Sequence, residues 1–422
     1  MRRADICLPV LALAALLLAT ALPSAAQQEP GGKRLTFGVA QRGEAGRNLE
    51  LQPGERGASS FAATTLSAGL SSVTRRQALS LSADATLRTG KPPGLEEGGM
   101  ALRYGLRGAG TALTARVSLR RQEVAFLSPL DLVDLEDGAL QVPEDLGDLS
   151  GRGWRNDSRL SLSGKFRTDR RLGFGVELAA SRLSYEDTTA RGLRDSRSLT
   201  AALTARLDLA PDMVLSLRPG LAVQQQEGGA RLHSRSLGAR LAHRQRGGSH
   251  SVSVEALWPD ASAARLSLTA GLTRALGPAQ DLSLSLGATM TEGGEPRLVT
   301  GLSYLRRMTP RDRLSLSLDR RVRDEADGAV VLVTAARGSY ARALDRQTTL
   351  RLGGTYVATE SARGGGATRD AGLTLSVGRQ LARGWVLDAG LRRTLRADDT
   401  AGGDAVSDAI FVSLGRDWSR KF

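Results

Sequence analysis

From Leu35 to the C-terminus, apolar residues recur at every second position in run after run. Leu79, Leu81, Ala83, Ala85 and Leu87 share one face, and Ser80, Ser82, Asp84 and Thr86 share the other. Leu113, Ala115, Val117 and Leu119 alternate with Thr114, Arg116, Ser118 and Arg120, and Leu282, Leu284, Leu286 and Ala288 with Ser283, Ser285, Gly287 and Thr289. A period of two is that of a strand with one apolar face, whereas a helix needs apolar residues three and four apart. Each run spans about nine to twelve residues, the length at which a tilted strand crosses a bilayer. The pattern therefore predicts an all-β fold: a single closed antiparallel transmembrane β-barrel.

The punctuation between runs alternates as well. Tight turns fall near Arg75, Gly108, Asp169, Pro211, Gly247, Pro278, Met308–Asp312, Leu344–Gln347 and Leu381–Gly384. Longer connections fall at Gly43–Gly57, Lys91–Gly98 and Ser128–Gly153, near Thr188, Gly228 and Pro259, and at Arg323–Gly328, Ser361–Thr368 and Ala397–Ser407. Short periplasmic turns opposed to longer outer loops are the asymmetry of outer-membrane barrels. The count predicts about twenty strands, with eighteen to twenty-two as its range, and both ends periplasmic. Such a sheet has to close, because an open edge in lipid leaves backbone groups unsatisfied at several kcal/mol each. A soluble all-β sandwich would need a second apolar layer, and 4% aromatic residues is little for so large a core.

The first segment has a different character. Arg2 and Arg3 precede an apolar run, Leu11–Leu22, and Ser24 and Ala26 offer small residues for cleavage before Gln27. This is the layout of a secretory signal peptide over residues 1–26, followed by a short periplasmic segment, 27–34, and the barrel, 35–422. The single cysteine, Cys7, leaves with the signal, so the mature chain has neither a disulfide nor a Cys-based metal site. No cofactor is implied. The formal charge is +14; on a secreted chain this does not point to nucleic acid. His233, His243 and His250 are the only histidines, and no triad spacing, phosphate loop or metal cluster accompanies them. The sequence gives no sign of an enzyme.

The final strand resembles the C-terminal recognition signal of bacterial outer-membrane proteins, polar-x-Gly-x-x-aromatic-x-aromatic. Ser413, Gly415 and Trp418 match it, Arg420 stands where the last aromatic belongs, and Phe422 follows two residues later. The resemblance implies the bacterial outer membrane as location, with the barrel-insertion machinery, membrane lipid and lipopolysaccharide as partners. A second resemblance, to porins, lies in the longest connection, the third outer loop. Porins fold that loop into the lumen and carry an acidic segment like P-E-F-G-G-D, to which Pro143-Glu144-Asp145-Leu146-Gly147-Asp148 is similar. With Asp131, Asp134, Glu136 and Asp137 the loop holds seven acids and no base between Ser128 and Ser150. It reads either as a constriction or as a solvated surface loop. The porin likeness also implies a possible homotrimer.

Placing the leucine face in lipid puts Arg103, Arg107, Arg116, Arg120 and Arg159 in the lumen, since arginine at mid-depth on the lipid face costs about 2–4 kcal/mol. A basic lumen attracts anions, although Asp84, Glu177, Asp208, Asp319 and Asp388 offer partners that would simply stiffen the wall. The expectation is a porin-like channel for passive diffusion of small polar, preferentially anionic, solutes. Export of an acidic exopolysaccharide and a structural or adhesive barrel are the alternatives. A TonB-type transporter is set aside, because strands starting near Leu35 leave no room for a plug domain ahead of them.

Overall fold

The structure is a computed structural model that describes residues 32–422, except 55–56, 90–93, 128, 137–138, 144, 147–148, 150, 189–192, 310, 326–328, 362–365 and 400–402. The signal segment, 1–26, lies outside the described residues. The chain opens with β1 (Lys33–Arg47), β2 (Ala58–Val73), β3 (Gln77–Thr89), β4 (Gly94–Arg107) and β5 (Thr111–Glu123). A small hairpin, β6 (Asp134–Glu136) and β7 (Ala139–Gln141), sits within the connection that follows. Next come β8 (Trp154–Phe166), β9 (Leu172–Glu186), β10 (Ser196–Ala210), β11 (Met213–Gln226), β12 (Arg231–Gln245), β13 (Gly248–Pro259), β14 (Arg265–Gly277) and β15 (Gln280–Thr291). The chain ends with β16 (Arg297–Thr309), β17 (Asp312–Asp324), β18 (Val330–Ala343), β19 (Thr348–Ser361), β20 (Ala367–Gln380), β21 (Trp385–Asp398) and β22 (Ala405–Lys421).

All but β6 and β7 form one sheet of twenty strands, each antiparallel to the next. The ring closes where β22 pairs with β1, in unbroken register from Arg34↔Lys421 to Arg47↔Asp408. The amide of Phe422 extends the seam by donating to the Lys33 carbonyl at 2.9 Å. Closure satisfies the edge groups that lipid could not.

The alternation in the sequence becomes the two faces of the wall. Leu203, Leu221 and Ile410 are 57%, 60% and 60% exposed, as suits a leucine face turned to acyl chains rather than to a second protein layer. The strands run from 12 to 17 residues, longer than the apolar runs that predicted them. Beyond the acyl region their outward positions become polar, so hydropathy marks only the middle of each strand. One connection, 292–296, is absent from the expected loops, although its five residues make it as long as the expected one at 260–264.

The turns carry their own chemistry. Gly247 occupies the two-residue turn between β12 and β13 with φ of 85°, where a side chain would be strained. Asp345 closes the turn before β19 by accepting from the amides of Gln347 at 2.7 Å and Thr348 at 2.8 Å. With a bond from the Thr348 hydroxyl, they hold its carboxyl below its ordinary pKa, the Gln347 amide contributing most and the Thr348 hydroxyl next.

Gly46 tests the closure. A Cβ at this seam position would lie 2.1 Å from the Asp408 carbonyl oxygen and 2.8 Å from Ala409 Cα. Gly46→Val should cost about 1–3 kcal/mol by forcing strands apart. It should lower the temperature at which the folded, fast-migrating band on an unheated gel is lost; an unchanged temperature would mean that the seam tolerates separation.

Candidate functional site: the loop across the lumen

The connection between β5 and β8 is built to cross the barrel. Val124 donates its amide to the Gly153 carbonyl at 2.8 Å and closes the neck. Two short 3-10 turns, Val124–Phe126 and Pro129–Leu132, carry the chain inward, and β6 and β7 pair around Leu135↔Leu140. The β6–β7 unit lies against β17 and β18, ten strands from β5 and β8 around the ring in either direction, so the loop reaches the far wall.

Two kinds of contact hold it there. The first is apolar: Leu130, Val133, Leu140, Val142 and Leu146 bury against Val331, Val333 and Ala335 of β18 and Val357 of β19. These wall residues form an apolar patch on the inner face. Gly372 of β20 admits Leu130, whose Cδ1 lies 2.7 Å from where a Cβ would stand. Each aliphatic side chain buried this way contributes about 1.5–3 kcal/mol.

The second contact is guanidinium to carbonyl. Arg323 of β17 donates to the Val142 oxygen at 2.6 Å, and Arg337 of β18 to the Val133 oxygen at 3.0 Å. Arg396 of β21 donates to the Leu149 and Leu146 oxygens at 2.7 and 3.2 Å, and through Nε to Asp370 at 2.9 Å. The returning limb is tied near its root: Asp145 takes a two-pronged bond from Arg155 of β8, at 2.6 and 3.1 Å, and a further hydrogen bond from the Tyr185 hydroxyl. Arg155 is 2% exposed and also reaches Asp157 at 3.2 Å.

The candidates from the sequence fall as follows. Asp131 is exposed and faces Arg392 at 3.9 Å, and Asp145 is buried in the Arg155 pair. Asp134 and Glu136 lie in β6, whereas Asp137, Glu144 and Asp148 are outside the described residues. Arg103 and Arg116 are register partners on the lumen side of β4 and β5, and Arg107 sits opposite Ala112. Arg120 reaches Glu97 at 3.2 Å and Arg159 reaches Asp157 at 2.7 Å. Further along the wall, Arg218 pairs with Glu177 and Arg351 with Asp388, both at 2.6 Å, and Arg206 with Asp208 at 2.8 Å. Ser413 and Gly415 face inward and Trp418 faces lipid; Arg420 stacks 5.4 Å from the Phe422 ring. Sequence reasoning missed Arg155, Arg323, Arg337 and Arg396 as a group. Their only signal was position, on the non-leucine face near the outer end of their strands.

The family models searched contain no match to this chain, and no curated protein matches it. Among solved structures it resembles ferric enterobactin receptor mutants from Pseudomonas aeruginosa. The Q482A mutant bound to enterobactin is 11% identical with a TM-score of 0.50, and the R480A mutant, also bound to enterobactin, is 10% identical with 0.51. Each alignment covers 93% of this chain and 82% of the receptor. The FrpB iron transporter from Neisseria meningitidis aligns at 8% identity and a TM-score of 0.48. At such identities the likeness is one of fold.

The chain is an outer-membrane β-barrel. The expectation of a porin-like channel for passive diffusion is corrected: the two enterobactin-bound structures that share this fold are receptors, not porins. The export and adhesive alternatives find no better match, and the homotrimer loses its basis along with the porin likeness.

The clamp on the loop makes a prediction. Arg396→Gln removes the charge that partners buried Asp370, 1% exposed, and releases two loop carbonyls. Breaking such a pair costs about 3–5 kcal/mol, felt mainly as lost local stability. Protease added to reconstituted barrels should cleave within 128–150 much faster in the variant than in the parent. Equal cleavage rates would mean that the apolar patch alone holds the loop.

Proposed function

We propose that this chain forms the barrel of an outer-membrane uptake receptor for an anionic ligand too bulky to diffuse freely, an iron chelate of the siderophore class. Ligand uptake, set aside from the sequence for want of a plug domain, returns as the preferred reading. The observation that carries it is the loop fixed across the lumen, within a fold shared with ferric enterobactin receptors. A strap held to the far wall is a poor design for free diffusion and a suitable one for gated entry.

The chemistry of the clamp suggests how a ligand opens it. Arg323, Arg337 and Arg396 bond neutral carbonyl oxygens of the loop, while Arg323 also reaches Glu325 at 3.6 Å and Arg396 reaches Asp370 at 2.9 Å. A guanidinium binds an anionic oxygen more strongly than a neutral one, because the two full charges attract. An anionic ligand entering from outside therefore competes for these donors, and the loop gives way as they change partners. Arg103, Arg107, Arg116, Arg120 and Arg159 extend a basic lining below, along which the ligand moves. The acids of the loop, Asp131, Asp134, Glu136, Asp137, Glu144, Asp145 and Asp148, exclude anions that cannot displace it.

The same reading assigns residues 1–26 to a cleaved signal and 27–34 to a short periplasmic segment. Ser413, Gly415, Trp418 and Phe422 are what the insertion machinery recognises.

Binding of ferric chelates to the purified barrel, followed by tryptophan fluorescence, tests the proposal. Saturable binding of an anionic ferric siderophore is expected, with none for neutral sugars of similar size. Arg323→Gln with Arg337→Gln should weaken it by about tenfold or more, as for lost charge-assisted bonds. Absence of any chelate binding, with salt passing freely through the reconstituted barrel, would sink the receptor reading.

A further inference from the structure

The lipid-facing side of β9 to β12 carries polar residues that uptake does not use. Arg182 of β9 is the register partner of Arg197 of β10, Arg197 of Gln225 of β11, and Gln225 of Arg231 of β12. Each shares its face with the lipid wall: Arg182 with Leu178, Arg197 with Leu199 and Leu203, Gln225 with Leu221, and Arg231 with Leu237. An Arg-Arg-Gln-Arg row thus runs across four strands on the outside of the barrel, at its loop-bearing end.

All three arginines are exposed, and among the described residues none has a carboxylate within ion-pair distance. Other outward arginines at this end are paired: Arg121 with Glu186 at 3.1 Å, Arg369 with Asp399 at 3.3 Å and Arg393 with Asp408 at 3.7 Å. Like charges directly opposite on neighbouring strands, about 4.8 Å apart, destabilise a sheet. Arg182 and Arg197 keep that arrangement with no counter-charge among the described residues, and an anionic group between them would offset it.

The polar stripe also runs deep on one strand. Outward-facing His233 and Arg235 continue it down β12, and the exposed indole of Trp258 is Arg235's register partner on β13. Only Leu237, Ala239 and Leu241 then remain as outward apolar positions before His243, whereas β10 has an unbroken outward run from Leu199 to Leu209. Tryptophan is a residue of the membrane–water boundary, and at that boundary an arginine costs little. A guanidinium fork matches phosphate oxygens in two-pronged fashion.

We propose that Arg182, Arg197 and Arg231 bind the phosphate of a phosphorylated lipid in the outer leaflet, with Gln225 donating between them. The row spans about two strand spacings from Arg197 to Arg231, roughly 10 Å, wide enough for a sugar-phosphate head group. The acyl chains then lie against Leu199, Leu203 and Leu221.

The test uses the full chain in zwitterionic detergent, with the melting temperature of the folded barrel as readout. The probes are a phosphorylated outer-leaflet glycolipid, its dephosphorylated form, and inorganic phosphate. The phosphorylated glycolipid should raise the melting temperature, and the other two should not. In the variant R182Q/R197Q/R231Q the glycolipid concentration giving half the shift should rise about a hundredfold, at the strength typical of basic residues on anionic lipid. In R121Q/R369Q/R393Q, which removes the paired outward arginines, it should move less than about threefold. An equal shift from the dephosphorylated glycolipid, or an unchanged response of the first variant, overturns the proposal. An equal shift from inorganic phosphate overturns the lipid as its source. Mass measurement of lipid retained on the native protein gives a second reading if a variant is less stable: retention equal to the parent's overturns the site.

Discussion

A strand that crosses a bilayer has no water to bond its amides and carbonyls, so every one of them must find a partner within the protein. In this chain that requirement is met by a ring. β22 returns to β1 and pairs with it along its length, and Phe422 adds one more bond at the periplasmic rim. Once the ring exists, the rest is constrained. Side chains alternate between lipid and lumen, tight turns gather at one end and loops at the other, and a long loop at the outer end can turn outward or into the lumen.

The loop after β5 turns inward because the far wall offers both things that an irregular segment needs. Its apolar side chains meet Val331, Val333, Ala335 and Val357, the aliphatic patch of the inner face. Its carbonyls, which no strand satisfies, meet Arg323, Arg337 and Arg396. A buried carbonyl without a donor costs free energy comparable to a lost hydrogen bond, so these arginines convert a costly excursion into a stable one. Arginine suits this position because it keeps its charge and because its fork reaches two carbonyls from one side chain, as Arg396 does.

The same residue type serves three settings in this barrel. Along the lumen wall it pairs with acids such as Glu177 and Asp388 and stiffens the sheet. At the far wall it holds the loop. On the lipid face near the outer rim, Arg182, Arg197 and Arg231 have no carboxylate within ion-pair distance among the described residues. What differs is the surroundings rather than the side chain, and function follows from which guanidinium can exchange its partner. The proposed gated uptake rests on those that bond neutral carbonyls, which an anionic oxygen can displace.

The outer-membrane location drew on the first segment and the final strand as well as on alternation. The period-two pattern determined the all-β class, the closed barrel and nearly all the connections, because alternation is a local property that survives whatever the chain packs against. It marked the middle of each strand and not its ends, since hydropathy stops changing where lipid gives way to water. It missed the connection at 292–296. The loop was legible as long, acidic and third in order. Where it docks was not, because Arg323, Arg337, Arg396 and the Val331–Val357 patch lie 170 residues or more beyond it in the chain. Only the ring brings them to face it. Whether an inward arginine meets an acid, a carbonyl or a ligand depends on which strands stand opposite, and that is decided by the tertiary structure alone.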